Sequence, residues 1–145
     1  MKNLLHYKPY TFKEKDEIEI VSIGNSSAEI KLYDVLFEDV LLFEYKGEKQ
    51  VEKMVNMLNG AFLLGVSQRL VSDSKNLVNY VPYYHETFSK SSPLAFLGVL
   101  GGTGWKILFD GELVINKYTK KQADDMVNML NGAFSFGVLK QENLN

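Results

Sequence analysis

Met54-Val55-Asn56-Met57-Leu58-Asn59-Gly60-Ala61-Phe62 recurs letter for letter as Met126-Val127-Asn128-Met129-Leu130-Asn131-Gly132-Ala133-Phe134. An identity of this length in a chain of 145 residues points to an internal repeat, and a repeated unit constrains architecture before any propensity is consulted. The match widens in both directions. Val35-Leu36-Phe37-Glu38-Asp39 aligns with Ile107-Leu108-Phe109-Asp110-Gly111, Lys49-Gln50 with Lys121-Gln122, and Gly65-Val66 with Gly137-Val138. Lys2 to Tyr10 aligns with Lys75 to Tyr83 after a one-residue change of spacing. The chain therefore reads as two repeats, residues 1–73 and 74–145, too small to be secure alone and expected to share one compact core.

Each repeat carries a helix signal. Val51, Met54, Val55, Leu58, Ala61, Phe62 and Gly65 fall at three- and four-residue spacing, as do Ala123, Met126, Val127, Leu130, Ala133, Phe134 and Gly137. Thr119 with Gln122 three residues on is a capping-box pattern, and Gly47 takes the equivalent place in the first repeat. Before each helix lies a hairpin: Ile30 to Phe37 with Val40 to Tyr45, bending at Glu38-Asp39, and Ile107 to Phe109 with Glu112 to Ile115, bending at Asp110-Gly111. An earlier strand is expected over Glu17 to Ile23, with a counterpart over Leu94 to Leu100. A fourth, edge-like strand is expected over Leu4 to Tyr10 and Leu77 to Tyr83, each holding a proline. The fold class is α+β: a tandem β-β-β(-β)-α duplication with pseudo-twofold symmetry. It forms two antiparallel sheets or one continuous sheet, with two helices packed on one face.

Composition narrows the function classes. A net charge of -2 argues against a dedicated nucleic-acid binder. The absence of cysteine excludes disulfides, thiolate metal sites and a thiol nucleophile. No apolar run is long enough to span a membrane and no signal-peptide pattern opens the chain, so a cytoplasmic location is expected. No metal or cofactor is expected, and no catalytic residue is assigned. His6 and His85 are not equivalent in the two repeats, and neither sits in a recognised catalytic motif. Glu52, Asp124 and Asp125 fit the first turn of their helices through the helix dipole.

Asn56, Asn59, Asn128 and Asn131 are candidate ligand-reading carboxamides where the two helices meet; the alternative is a solvated helix flank or a register-fixing pair. Tyr83 and Trp105 could stack on a ligand or serve as ordinary half-buried strand residues. Gly60 and Gly132 interrupt the helices at a cost of about 1 kcal/mol each, which calls for a packing reason such as close approach of two backbones. The Gly98 to Gly104 stretch lacks the phosphate-loop pattern and reads as a strand connection. Leu94, Phe96 and Leu97 belong to a run apolar on both faces, which a partner would have to cover; with Gly60 and Gly132 they form the candidate interface of a homo-oligomer.

Trp105 to Val138, with Thr119, Ala123, Leu130 and Asn131 at its marker positions, resembles the small β-hairpin–helix accessory proteins of Gram-positive phages and prophages. The resemblance covers about a quarter of the chain per copy. It implies an accessory viral protein that counters host defence by binding. Two readings follow: sequestration of a small nucleotide-like signalling ligand, or docking on a host defence protein through apolar and tyrosine-rich strands.

Overall fold

The computed structural model describes residues 4–71, 81–89, 103–117 and 119–144. Six strands and two helices follow in the order β1 (Tyr10–Ile23), β2 (Ser26–Phe37), β3 (Val40–Lys46), α1 (Glu48–Val71), β4 (Tyr83–Ser89), β5 (Thr103–Phe109), β6 (Glu112–Lys117) and α2 (Lys120–Glu142). The strands make two three-stranded antiparallel sheets, β1-β2-β3 and β4-β5-β6, so the continuous sheet is not formed. Each helix packs on its own sheet, and the two helices pack on each other. The expected pair of helices on one face is corrected accordingly: there are two sheets, each with one helix.

The hairpins form where the pattern places them. Glu38 and Asp39 have φ of 49° and 68°, and Asp110 and Gly111 have 47° and 93°. Positive φ at both central residues is what lets a two-residue turn follow the strand twist. Glu38 is not a residue that favours this region. Its carboxylate is held by Tyr7 Oη at 2.8 Å and Lys140 Nζ at 3.0 Å, tying the turn to the end of α2. These two donors, lysine first, draw the carboxyl below its ordinary range. In both sheets the register shifts just after the turn-side hairpin residues, between Val35 and Leu36 and between Ile107 and Leu108.

The expected fourth strand over Leu4 to Tyr10 is absent. Leu4 to Tyr7 closes a turn, and Pro9, which has no N–H to donate, offers its carbonyl to Glu38 N. Strand pairing starts at Tyr10 and β1 runs on through the charged stretch Lys13-Glu14-Lys15-Asp16-Glu17, which stays mostly exposed. The pairing of that segment is assisted across strands: Lys31 meets Glu14 at 3.3 Å, Lys46 meets Glu19 at 2.7 Å, and Lys15 meets Glu44. The expected fourth strand over Leu77 to Tyr83 falls mostly outside the described residues, as do Leu94, Phe96, Leu97 and the rest of the Leu94 to Leu100 segment.

One core cluster draws on both halves. Tyr10, Tyr33 and Val35 from the first sheet and Tyr83 and Ile107 from the second join Val51, Leu58 and Phe62 of α1 and Met126, Leu130 and Phe134 of α2. Tyr10 lies on Phe37 and Tyr83 on Phe109, each with centroids 4.9 Å apart at 56°. Phe37–Phe62 and Phe109–Phe134 are both 6.3 Å apart. The helices cross at Gly65 and Gly137. A Cβ on Gly65 would overlap the Phe134 carbonyl oxygen, and one on Gly137 would overlap that of Phe62. Gly60 and Gly132 have nothing within 4 Å of where a Cβ would stand. The backbone approach expected at Gly60 and Gly132 therefore belongs to Gly65 and Gly137, which lie on the buried stripe.

Burial of the two core tyrosines sets an alkaline limit on stability. Desolvation pushes the Tyr10 and Tyr83 hydroxyls up to about 12 from 10.0. Their contribution is unchanged below pH 10, where both folded and unfolded tyrosines are protonated. Above it the unfolded chain loses protons first, so stability falls by up to about 1.4 kcal/mol per pH unit per tyrosine until the folded groups titrate. Urea unfolding at successive pH values should show this decline beginning near pH 10, and Tyr10→Phe with Tyr83→Phe should flatten it.

Candidate functional site

Two apolar clefts flank the helix pair. The first lies between β3 and α2. Its lower part, about 290 Å³, is lined by Tyr10, Leu42, Leu58, Gly132, Ala133 and Phe136. Phe43 and Met129 continue it into a wider part of about 570 Å³ that also takes in Tyr45, Met54 and Met126, with Glu44, Asp125, Gln122 and Asn128 at the rim. The second cleft, about 500 Å³, lies between β6 and α1 and is lined among others by Met57, Gly60, Leu64, Tyr83, Leu113 and Val114. In each cleft the helix of one half faces the edge strand of the other half's sheet. The edge strands are apolar and open: Leu41 and Leu113 are each 60 % exposed, and Val40, Leu42 and Val114 are also exposed. Methionine and leucine linings of this kind adapt to varied apolar partners.

The predicted site residues divide sharply. Asn59 and Asn131 are engaged within the fold. The Asn59 carboxamide accepts from Tyr10 N at 2.9 Å and donates to Tyr10 O at 3.0 Å; Asn131 does the same with Tyr83 at 2.9 Å in both bonds. Each side chain pairs with a strand backbone as a neighbouring strand would, committing one N–H and one acceptor site of each carboxamide to the fold. These bonds fit the register-fixing alternative for Asn59 and Asn131. Asn56 and Asn128 are exposed, and Asn128 lines the rim of the first cleft. Tyr83 is 5 % exposed and packs against Phe109, so its ring lies in the floor of the second cleft and not on the surface. Gly60 and Gly132 each line a cleft.

Trp105 is half-buried and belongs to a group that the sequence pattern did not bring together. His85 Nε2 lies 2.6 Å from Asp124 Oδ1, and the Trp105 ring meets the imidazole edge-on at 4.9 Å and 89°. His85 Nδ1 is buried with no hydrogen-bond partner among the described residues. Nε2 is thus engaged by the carboxylate and Nδ1 is buried beside it. In the first half the same three places hold Phe12, Glu52 and Tyr33, and Phe12 meets Tyr33 edge-on at 5.8 Å and 78°. The histidine ties β4 to α2 beyond its first turn, so Asp124 does not hold the first-turn place expected of it.

Among the described residues no cluster of His, Asp and Glu could hold a metal ion. No helix among them is long and apolar enough to cross a membrane. The chain matches no protein-family model, no curated protein and no solved structure.

Proposed function

We propose that this protein is a non-enzymatic interaction module, a tandem duplication about a pseudo-twofold axis that acts by docking a polypeptide in its two clefts. The observation that carries the reading is the pair of apolar clefts themselves, each walled by an edge strand and floored by a helical glycine, with no further strand on that edge and no atom over the glycine among the described residues. An unpaired edge offers main-chain hydrogen bonds to an incoming segment, and the apolar lining supplies side-chain pockets beside it. The duplication is supported by the repeated sequence and by matched turns, bulges, ring pairs and carboxamide clamps in the two halves. A phage-type accessory role, blocking a host defence protein by occupation of a surface, follows from the hairpin–helix resemblance and suits this site.

Nucleotide sequestration draws less support. Two of the four candidate asparagines hold strand backbone, Tyr83 is buried, and the wide cleft is rimmed by the carboxylates of Glu44 and Asp125 where a phosphate calls for cations or helix N-termini.

The test is photo-cross-linking from Leu42 and Leu113, paired with calorimetry against a panel of cyclic and ADP-ribose-derived nucleotides. Discrete protein adducts are expected, lost when Gly132→Trp and Gly60→Trp fill the clefts, with circular dichroism unchanged and flat nucleotide titrations. Stoichiometric nucleotide binding, or adducts indifferent to the filled clefts, would overturn the proposal.

A further inference from the structure

The outer faces of the two helices are nearly the same surface. On α1 the stripe is Lys53, Met57, Gly60 and Leu64; on α2 it is Asp125, Met129, Gly132 and Phe136. The spacing of four, three and four residues keeps each set within about 60° of arc. Leu64 is 37 % and Phe136 is 44 % exposed. The apolar part of the stripe is kept, but the charge at its N-terminal end is reversed. Among the described residues neither Lys53 nor Asp125 has an ion-pair partner. Lys49 and Lys121, one turn earlier, are the same in both helices and do not distinguish them.

We infer that the α2 stripe of one molecule docks on the α1 stripe of a second copy, with Asp125 facing Lys53 and Gly132 facing Gly60. The inference rests on the clefts being polypeptide-docking surfaces and names the polypeptide. Charge complementarity selects it. Glu44, itself paired with Lys15, adds a second carboxylate beside Asp125 on the α2 side, whereas Lys53 stands on the α1 side. Charge also selects the direction. Parallel stripes bring Asp125 to Lys53; with Gly132 kept opposite Gly60, the reverse alignment would set Lys53 opposite Leu139, beside Lys140, and Asp125 opposite Ser67, and the Asp125–Lys53 pair would be lost. The glycines supply the second argument. An interior helical glycine costs about 1 kcal/mol relative to alanine, and among the described residues nothing stands within 4 Å of the missing Cβ of Gly60 or Gly132. A second helix crossing closely there would use both, as the crossing at Gly65 and Gly137 does inside the molecule. Because the two stripes differ, the contact is made either reciprocally, closing a twofold pair with two Asp125–Lys53 contacts, or head to tail, propagating as a ring or an open chain.

Sedimentation velocity over a wide concentration range tests this with three samples: wild type, Asp125→Lys and Lys53→Asp. Both positions are exposed, so the variants should keep the wild-type circular dichroism. The wild type is expected to associate with concentration. Each charge reversal should weaken association about tenfold or more. An equimolar mixture of the two variants should regain it, because one carries lysine at both positions and the other aspartate at both. A wild type that stays monomeric, reversals that associate like the wild type, or a mixture that fails to recover would each overturn the inference. A monomeric wild type that still gives the cleft-dependent cross-link ends the self-docking inference and leaves the cleft reading standing.

Discussion

Gly65→Ala is expected to destabilise the fold by about 3 kcal/mol or more, and Gly137→Ala by a similar amount. The added methyl would stand inside the Phe134 or Phe62 carbonyl, which is main chain and cannot rotate away. The helices would have to separate, opening the contact between Phe62, Val66, Phe134 and Val138, all without exposed surface. The control is internal. Gly60→Ala and Gly132→Ala meet nothing and should stabilise by up to about 1 kcal/mol each, since alanine is the better helix former. Urea unfolding followed by circular dichroism should therefore separate glycines five residues apart in one helix by about 4 kcal/mol. Equal responses at Gly60 and Gly65 would refute the crossing described above.

Asn59→Ala should cost about 2–3 kcal/mol, and Asn131→Ala the same. Each removes two hydrogen bonds and strands a part-buried peptide N–H and carbonyl at Tyr10 or Tyr83. Asn59→Asp separates the two halves of the clamp, because it keeps the acceptor for Tyr10 N and loses the donor to Tyr10 O. Its cost should fall between wild type and alanine, with amide exchange at Tyr10 still slowed. If Asn59→Asp matched Asn59→Ala, the geometry of the clamp would be wrong.

Much of this fold is legible in the sequence because it is local. The helices follow from a 3.6-residue period, the cap from Thr119 and Gln122, whose backbone N–H reaches Thr119 Oγ1 at 3.1 Å, and the hairpins from their turns. The glycine roles could have been read as well. Five residues turn a helix by about 140°, so Gly65 shares the buried stripe and Gly60 does not. What period cannot supply is which backbone an off-stripe side chain meets. Asn59 finds Tyr10 across 49 residues and His85 finds Asp124 across 39, and both depend on how each sheet sits on its helix. The charged start of β1 hides its strand for a related reason: its lysines and glutamates stay mostly exposed, and the cross-strand ion pairs that hold them in the sheet depend on β2 and β3.

The asparagine clamp has a consequence for what these sheets do in a crowded solution. Within their sheets β1 and β4 are outer strands, and Tyr10 and Tyr83 turn their main-chain N–H and carbonyl away from the neighbouring strand. Those are the groups that template fibril growth when another chain finds them free. The carboxamide occupies them at the first residue of each strand, beside the core, and past that point β1 carries Lys13, Lys15, Glu17 and Glu19. Loss of the clamp should thus appear in shaken samples as accelerated amyloid nucleation, beyond what an equally destabilised variant with both clamps intact shows.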